Sequence, residues 1–66
     1  MKTTKQLFNE IVSQKNINAD VVKSVSGEYY RLLIDDEPII ADSACEDLYD
    51  EESAYAMFYD YINEYM

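Results

Sequence analysis

Two apolar rhythms divide this chain, and the order in which they come limits the folds it can reach. Turning successive residues by about 100° places Leu48, Tyr55, Tyr59, Ile62 and Met66 in one narrow sector, which Ala54, Phe58 and Tyr65 widen. That sector is the expected core face of a long C-terminal helix. Asp50 stands where an N-cap belongs, and Glu51 and Glu52 fall in the first turn, where the helix dipole favours carboxylates. Glu46, Asp50, Ser53, Asp60 and Glu64 occupy the opposite sector, and Met57 and Tyr61 fall outside the core sector, at its margin beside Asp60 and Glu64. Upstream the rhythm is that of strands. Val21, Val22 and Val25 form one run, Tyr29 to Ile34 a second, and Ile39-Ile40-Ala41 a third. Ser26-Gly27, with the only glycine, separates the first two, and Asp35-Asp36-Glu37-Pro38 separates the second from the third.

A second, shorter helical stripe opens the chain. Leu7, Phe8, Ile11 and Val12 share a face behind Thr3 or Thr4 as cap, and Asn16-Ile17-Asn18 breaks the helix because Asn competes for the backbone. The expected architecture is α+β in the order α-β-β-β-α, a single domain over residues 1–66. In it a three-stranded antiparallel meander is packed by an N-terminal and a long C-terminal helix. Tyr55, Tyr59 and Tyr65 are expected in the core, and of Tyr29 and Tyr30 one should point away, because strand neighbours face opposite sides. A chain of 66 residues buries only about 60% of its unfolded surface, so the core must be thin.

Charge is distributed as unevenly as hydropathy. Lys2, Lys5, Lys15, Lys23 and Arg31 are all the basic residues, while positions 32–66 carry eleven carboxylates and no cation, within a net charge of −9. Such a field repels nucleic acid and anionic lipid and steers the chain toward basic protein surfaces. Neither nucleic acid nor membrane is an expected partner. No apolar run reaches the roughly 18 residues of a membrane span and no signal-peptide stretch opens the chain, which suits a cytoplasmic protein. Cys45 is alone and reads as a small half-buried thiol beside Glu46 and Asp47, which disfavour its thiolate.

Catalytic chemistry finds little to work with. Histidine is absent, which removes His bases, triads and imidazole ligands, and one glycine cannot build a phosphate loop. The acidic segments lack the alternating ligands and central Gly of an EF-hand. No enzyme activity, metal or cofactor is expected.

The carboxylates themselves remain as the candidate site. A solvated helix face commonly intersperses Lys with Glu at i,i+4, whereas no such pair is available beyond Arg31. Carboxylates on successive helical turns, or on a turn beside a helix start, are spaced comparably to phosphates on a strand. Asp35, Asp36, Glu37, Asp42, Glu46, Asp47, Asp50, Glu51, Glu52, Asp60 and Glu64 are the candidate partner-binding acids, with Tyr61 and Met57 as apolar anchors. The bland alternative is an acidic interaction or self-associating module, with Tyr61 and Met57 at a dimer interface and its acidity serving solubility.

Three segments carry a family likeness: Leu7-Phe8-Asn9-Glu10-Ile11, then Leu32 through Ser43 as an acidic-tipped hairpin, and Tyr49-Asp50-Glu51-Glu52 before the last helix. In this layout the chain resembles small anti-CRISPR proteins of phages and mobile elements, in particular those that occupy the DNA-recognition cleft of a CRISPR effector nuclease. Phage inhibitors of uracil-DNA glycosylase look similar in size, acidity and make-up. The resemblance implies a stoichiometric inhibitor, monomeric or dimeric, in the bacterial host cytoplasm. Its carboxylates would take the Arg and Lys positions that read a protospacer-adjacent motif or hold the DNA backbone.

Overall fold

Thr3 starts the first helix by a reciprocal cap: its hydroxyl accepts from the Gln6 N–H at 3.2 Å, and the Gln6 side chain accepts from the Thr3 N–H at 2.8 Å. In the computed structural model, which describes residues Met1–Met66, this helix (α1) spans Thr4–Lys15. It stops at Asn16, whose left-handed backbone (φ 54°) is a conformation Asn tolerates better than most residues. Three strands follow, β1 Ala19–Lys23, β2 Tyr30–Ile34 and β3 Glu37–Ile40, paired antiparallel in the order β1-β2-β3. A 3₁₀ turn, Glu46–Tyr49, leads into α2, Glu51–Tyr65. The α-β-β-β-α order read from the sequence is the order observed, and no helix is long and apolar enough to cross a membrane.

The strand boundaries differ from expectation: Tyr29 falls just outside β2 and Ala41 just outside β3, and two larger changes have clear causes. Val25 lies outside β1 and is fully exposed, because the Ser24 N–H donates to the Tyr29 carbonyl (2.8 Å) and the Gly27 N–H to the Ser24 carbonyl (2.8 Å). These bonds close a wide loop around Gly27 at φ 76°. Glu37 and Pro38, expected in the turn, belong to β3. The turn proper is Asp35-Asp36, at φ 51° and 67°, the two successive positive angles of a type I′ hairpin. A bulge between Leu32 and Leu33 leaves Ile39 without a partner, since Leu32 faces Ile40 and Leu33 faces Pro38. Pro38 is tolerated there because β3 is an edge strand.

Two aspartates in left-handed conformations, with adjacent like charges, make this turn costly. Replacing them with the preferred pair, Asp35→Asn with Asp36→Gly, should stabilise the domain by about 1 kcal/mol. That raises the melting temperature by roughly 4–8 °C for a chain of this size. An unchanged or lower melting temperature would mean that the tip is not strained.

The core lies between the helices and one face of the sheet. Phe58, Leu32, Leu48 and Ile62 are its fully buried large residues, joined by Phe8, Ile11, Ile34, Ala54 and Tyr55. Phe8 meets Tyr55 and Phe58 edge to face, with ring centroids 5.4 and 6.3 Å apart. Leu48 is a core residue as expected, but it reaches the core from the separate 3₁₀ turn, because Asp50 is extended (φ −109°, ψ 129°) and interrupts the helical path. Tyr65 and Met66, expected in the core, are exposed at 72% and 46%. The last turn of α2 carries them past the buried cluster, which ends at Ile62. Tyr29 and Tyr30 both pack against the core; Tyr29 precedes β2, so strand alternation does not govern it. Its ring lies 5.7 Å from that of Tyr49.

The helices run side by side in the same direction. The Thr4 hydroxyl contacts the Glu52 carbonyl at 3.4 Å, the Lys5 ammonium lies 5.8 Å from the centre of the Tyr55 ring, and Phe8 reaches one turn further, to Phe58. Both N-termini therefore meet at one end of the molecule.

Candidate acidic interface

Every one of the eleven carboxylates between Asp35 and Glu64 is exposed, and none forms an ion pair. The single salt bridge joins Lys2 to Glu10, inside the N-terminal part. Lys5 and Lys23 lie instead over the rings of Tyr55 and Tyr30, at 5.8 and 5.4 Å.

These acids divide by what else they do. Asp50 caps α2, its carboxylate accepting from the Ser53 N–H at 3.1 Å. Asp42 accepts from the Ala44 N–H at 2.9 Å, and Glu51 from the Tyr30 hydroxyl at 3.3 Å. Asp35 and Asp36 form the hairpin turn. The side chains of Asp35, Asp36, Glu37, Glu46, Asp47, Glu52, Asp60 and Glu64 have no partner in the chain.

Topology gathers some of them and separates others. Asp47, from the 3₁₀ turn, and Asp60, from α2, rim a shallow hollow of about 350 Å³ that Ser53, Ala56 and Met57 complete. Met57 thus stands beside carboxylates, half-buried and packed on the core. Tyr61 is also half-buried against the core, its ring 5.1 Å from that of Tyr65. Asp35, Asp36 and Glu37 lie at the opposite end of β2 from Tyr30 and its Glu51 contact, where the Asp35 N–H donates to the Asn18 carbonyl at 2.9 Å. They form a second acidic pole rather than an extension of the first. No three acidic or thiol side chains converge in a metal-holding arrangement.

One feature of the site was not legible in the sequence. The parallel helices bring Lys2 and Lys5 to the same groove, about 730 Å³, as Asp50, Glu51 and Glu52. Charge segregated along the chain is therefore partly neutralised in space at that end, and the least compensated acids are those of the 3₁₀ turn and the outer side of α2. Helix direction depends on long-range packing, and no local sequence signal announces it.

No family model, curated protein or solved structure matches the chain. What the acids can do is therefore set by their exposure and by the groups beside them.

Glu51 also acts on two tyrosines. Loss of solvent around each phenol, and then the Glu51 carboxylate nearby, raise Tyr30 and Tyr55 above the ordinary value of 10.0. A raised pKa means that the folded state holds the phenolic proton more tightly. The resulting stability is complete below pH 10 and declines as pH climbs through the folded values. In an alkaline titration followed residue by residue, Tyr30 and Tyr55 should ionise above the ordinary value, and Glu51→Gln should bring both down. Midpoints for these two that Glu51→Gln leaves unmoved would contradict this assignment.

Proposed function

We propose that this chain is a non-enzymatic inhibitor that takes the place of nucleic acid on the basic DNA-binding cleft of a CRISPR effector nuclease or a similar DNA-handling enzyme in the bacterial cytoplasm. The observation that supports it is that eleven carboxylates are exposed and free of internal ion pairs. Like charges at this density work against a small fold, and a partner's Lys and Arg would relieve them. Charge alone gives fast but unselective association, so an apolar element should fix the register. Met57, which lines the same hollow as Asp47 and Asp60, would be that element.

The reading is tested with purified guide-loaded effectors, incubated with the chain before target duplex is added. Stoichiometric loss of DNA binding, and displacement of the chain by excess duplex, are the expected results. An unimpaired set of effectors, together with no DNA-displaceable protein captured from a bacterial lysate at low salt, would refute it.

A further inference from the structure

The helices cover one face of the sheet and leave the other bare. Register assigns Ala19, Val21, Leu32, Ile34 and Ile40 to the covered face. Asp20, Val22, Arg31, Leu33 and Pro38 are on the bare one, where Val22 faces Arg31 and Leu33 stands between Asp20 and Pro38. This face differs from the rest of the surface in two respects. Its charges, Arg31 and Asp20, sum to zero on a molecule of net charge −9. Val22 and Leu33 are also only half-buried, although nothing in the chain is layered over them.

Arg31 adds a specific demand. Its Nε is buried and has no acceptor, and although Asp20 is its diagonal neighbour the two form no ion pair. The guanidinium has no charged partner inside the chain, so a carboxylate arriving at its outer N–H groups would be favoured. The source of that carboxylate must itself tolerate contact with so acidic a molecule.

We propose that the bare sheet face is a self-association surface, on which a second copy of this chain packs by two-fold symmetry with Arg31 of each copy meeting Asp20 of the other. A two-fold contact is self-complementary, so one cation and one anion per face give two matched pairs. It also lets two molecules of net charge −9 approach where neither presents excess acid. The bare face is made by three strands of four or five residues, roughly 17 × 14 Å at strand spacing, well under the ~800 Å² per partner of standard interfaces, so the dimer is a weak one. This inference rests on the sheet face and not on the acidic surface, so it can fail while the inhibitor reading stands.

Sedimentation of the full chain from about 5 μM to about 1 mM, the span of weak dimer affinities, tests it. The unaltered chain should show a monomer–dimer equilibrium. Arg31→Asp and Asp20→Arg should each weaken it at least about tenfold, because each aligns like charges. Mixing the two variants should restore association, since the carboxylate introduced in one then meets the guanidinium introduced in the other; a merely unfolded variant could not give this rescue. Independently of any variant, concentration-dependent amide shifts of the unaltered chain should centre on Asp20, Val22, Arg31 and Leu33. A chain monomeric throughout, single variants that dimerise undiminished, or shifts centred on Met57 and Tyr61 would each overturn the proposal.

Discussion

Between about 50 and 200 mM salt, the complex of this chain with an effector that it inhibits is expected to weaken about a thousandfold. Eight carboxylates, those of Asp35, Asp36, Glu37, Glu46, Asp47, Glu52, Asp60 and Glu64, have no partner within the chain and are free to meet Lys or Arg. Each contact displaces ions from the basic surface, so the equilibrium falls steeply with salt. A globular domain condenses fewer ions than a duplex, which places the expectation at the lower end of the range for six to ten contacts. Reversing Asp47 and Asp60 together, Asp47→Lys with Asp60→Lys, should lower the affinity by a further hundredfold or so, since like charges set face to face cost several kcal/mol. Neither carboxylate caps a helix or accepts a hydrogen bond, so circular dichroism should be unchanged. Reversal at Asp50 is a poorer experiment, because it also removes the cap on Ser53, worth about 1 kcal/mol. A flat salt response, or full inhibition by the double variant, would remove the acidic surface from the mechanism.

Phe58→Ala is expected to unfold the domain at room temperature. Its side chain is fully buried and meets both Phe8 and Tyr55 edge to face. Truncating a buried Phe costs about 3–5 kcal/mol, while a chain of this length is held by roughly 3–10 kcal/mol in total. Loss of the cooperative urea transition, with helical signal collapsing toward a coil, is the outcome to look for. Tyr65→Ala supplies the control: that side chain is 72% exposed, so stability should move by less than about 0.5 kcal/mol. If Phe58→Ala melts like the unaltered chain, the aromatic cluster is not what holds α1 to α2.

The parts of the fold that could be read from the sequence are those fixed by local chemistry. Thr3, Asp50 and Gly27 stand at a helix start, a helix start and a turn, and each occupies the structural position its side chain suits. The helical apolar periods placed Phe8, Ile11, Tyr55, Phe58 and Ile62 on core faces, and all five are buried. Sequence and structure part where tertiary geometry decides. Nothing local distinguishes Tyr65 from Tyr55, and only the extent of the buried cluster exposes one and buries the other. Pro38 reads as a strand breaker until a bulged edge strand accommodates it. Of the candidate site, the exposure of the acids was legible, whereas their separation into poles and the arrival of Lys2 and Lys5 beside Glu51 were not.

The two rims of the sheet are not alike. Pro38 and the unpaired Ile39 interrupt β3, whereas β1 runs through five consecutive pairs without a proline or bulge. Polymer growth by strand addition needs a receptive rim on both sides of every subunit. A rim blunted on one side stops such growth after a single addition, which protects this domain from fibre formation even when crowded beside its own copies.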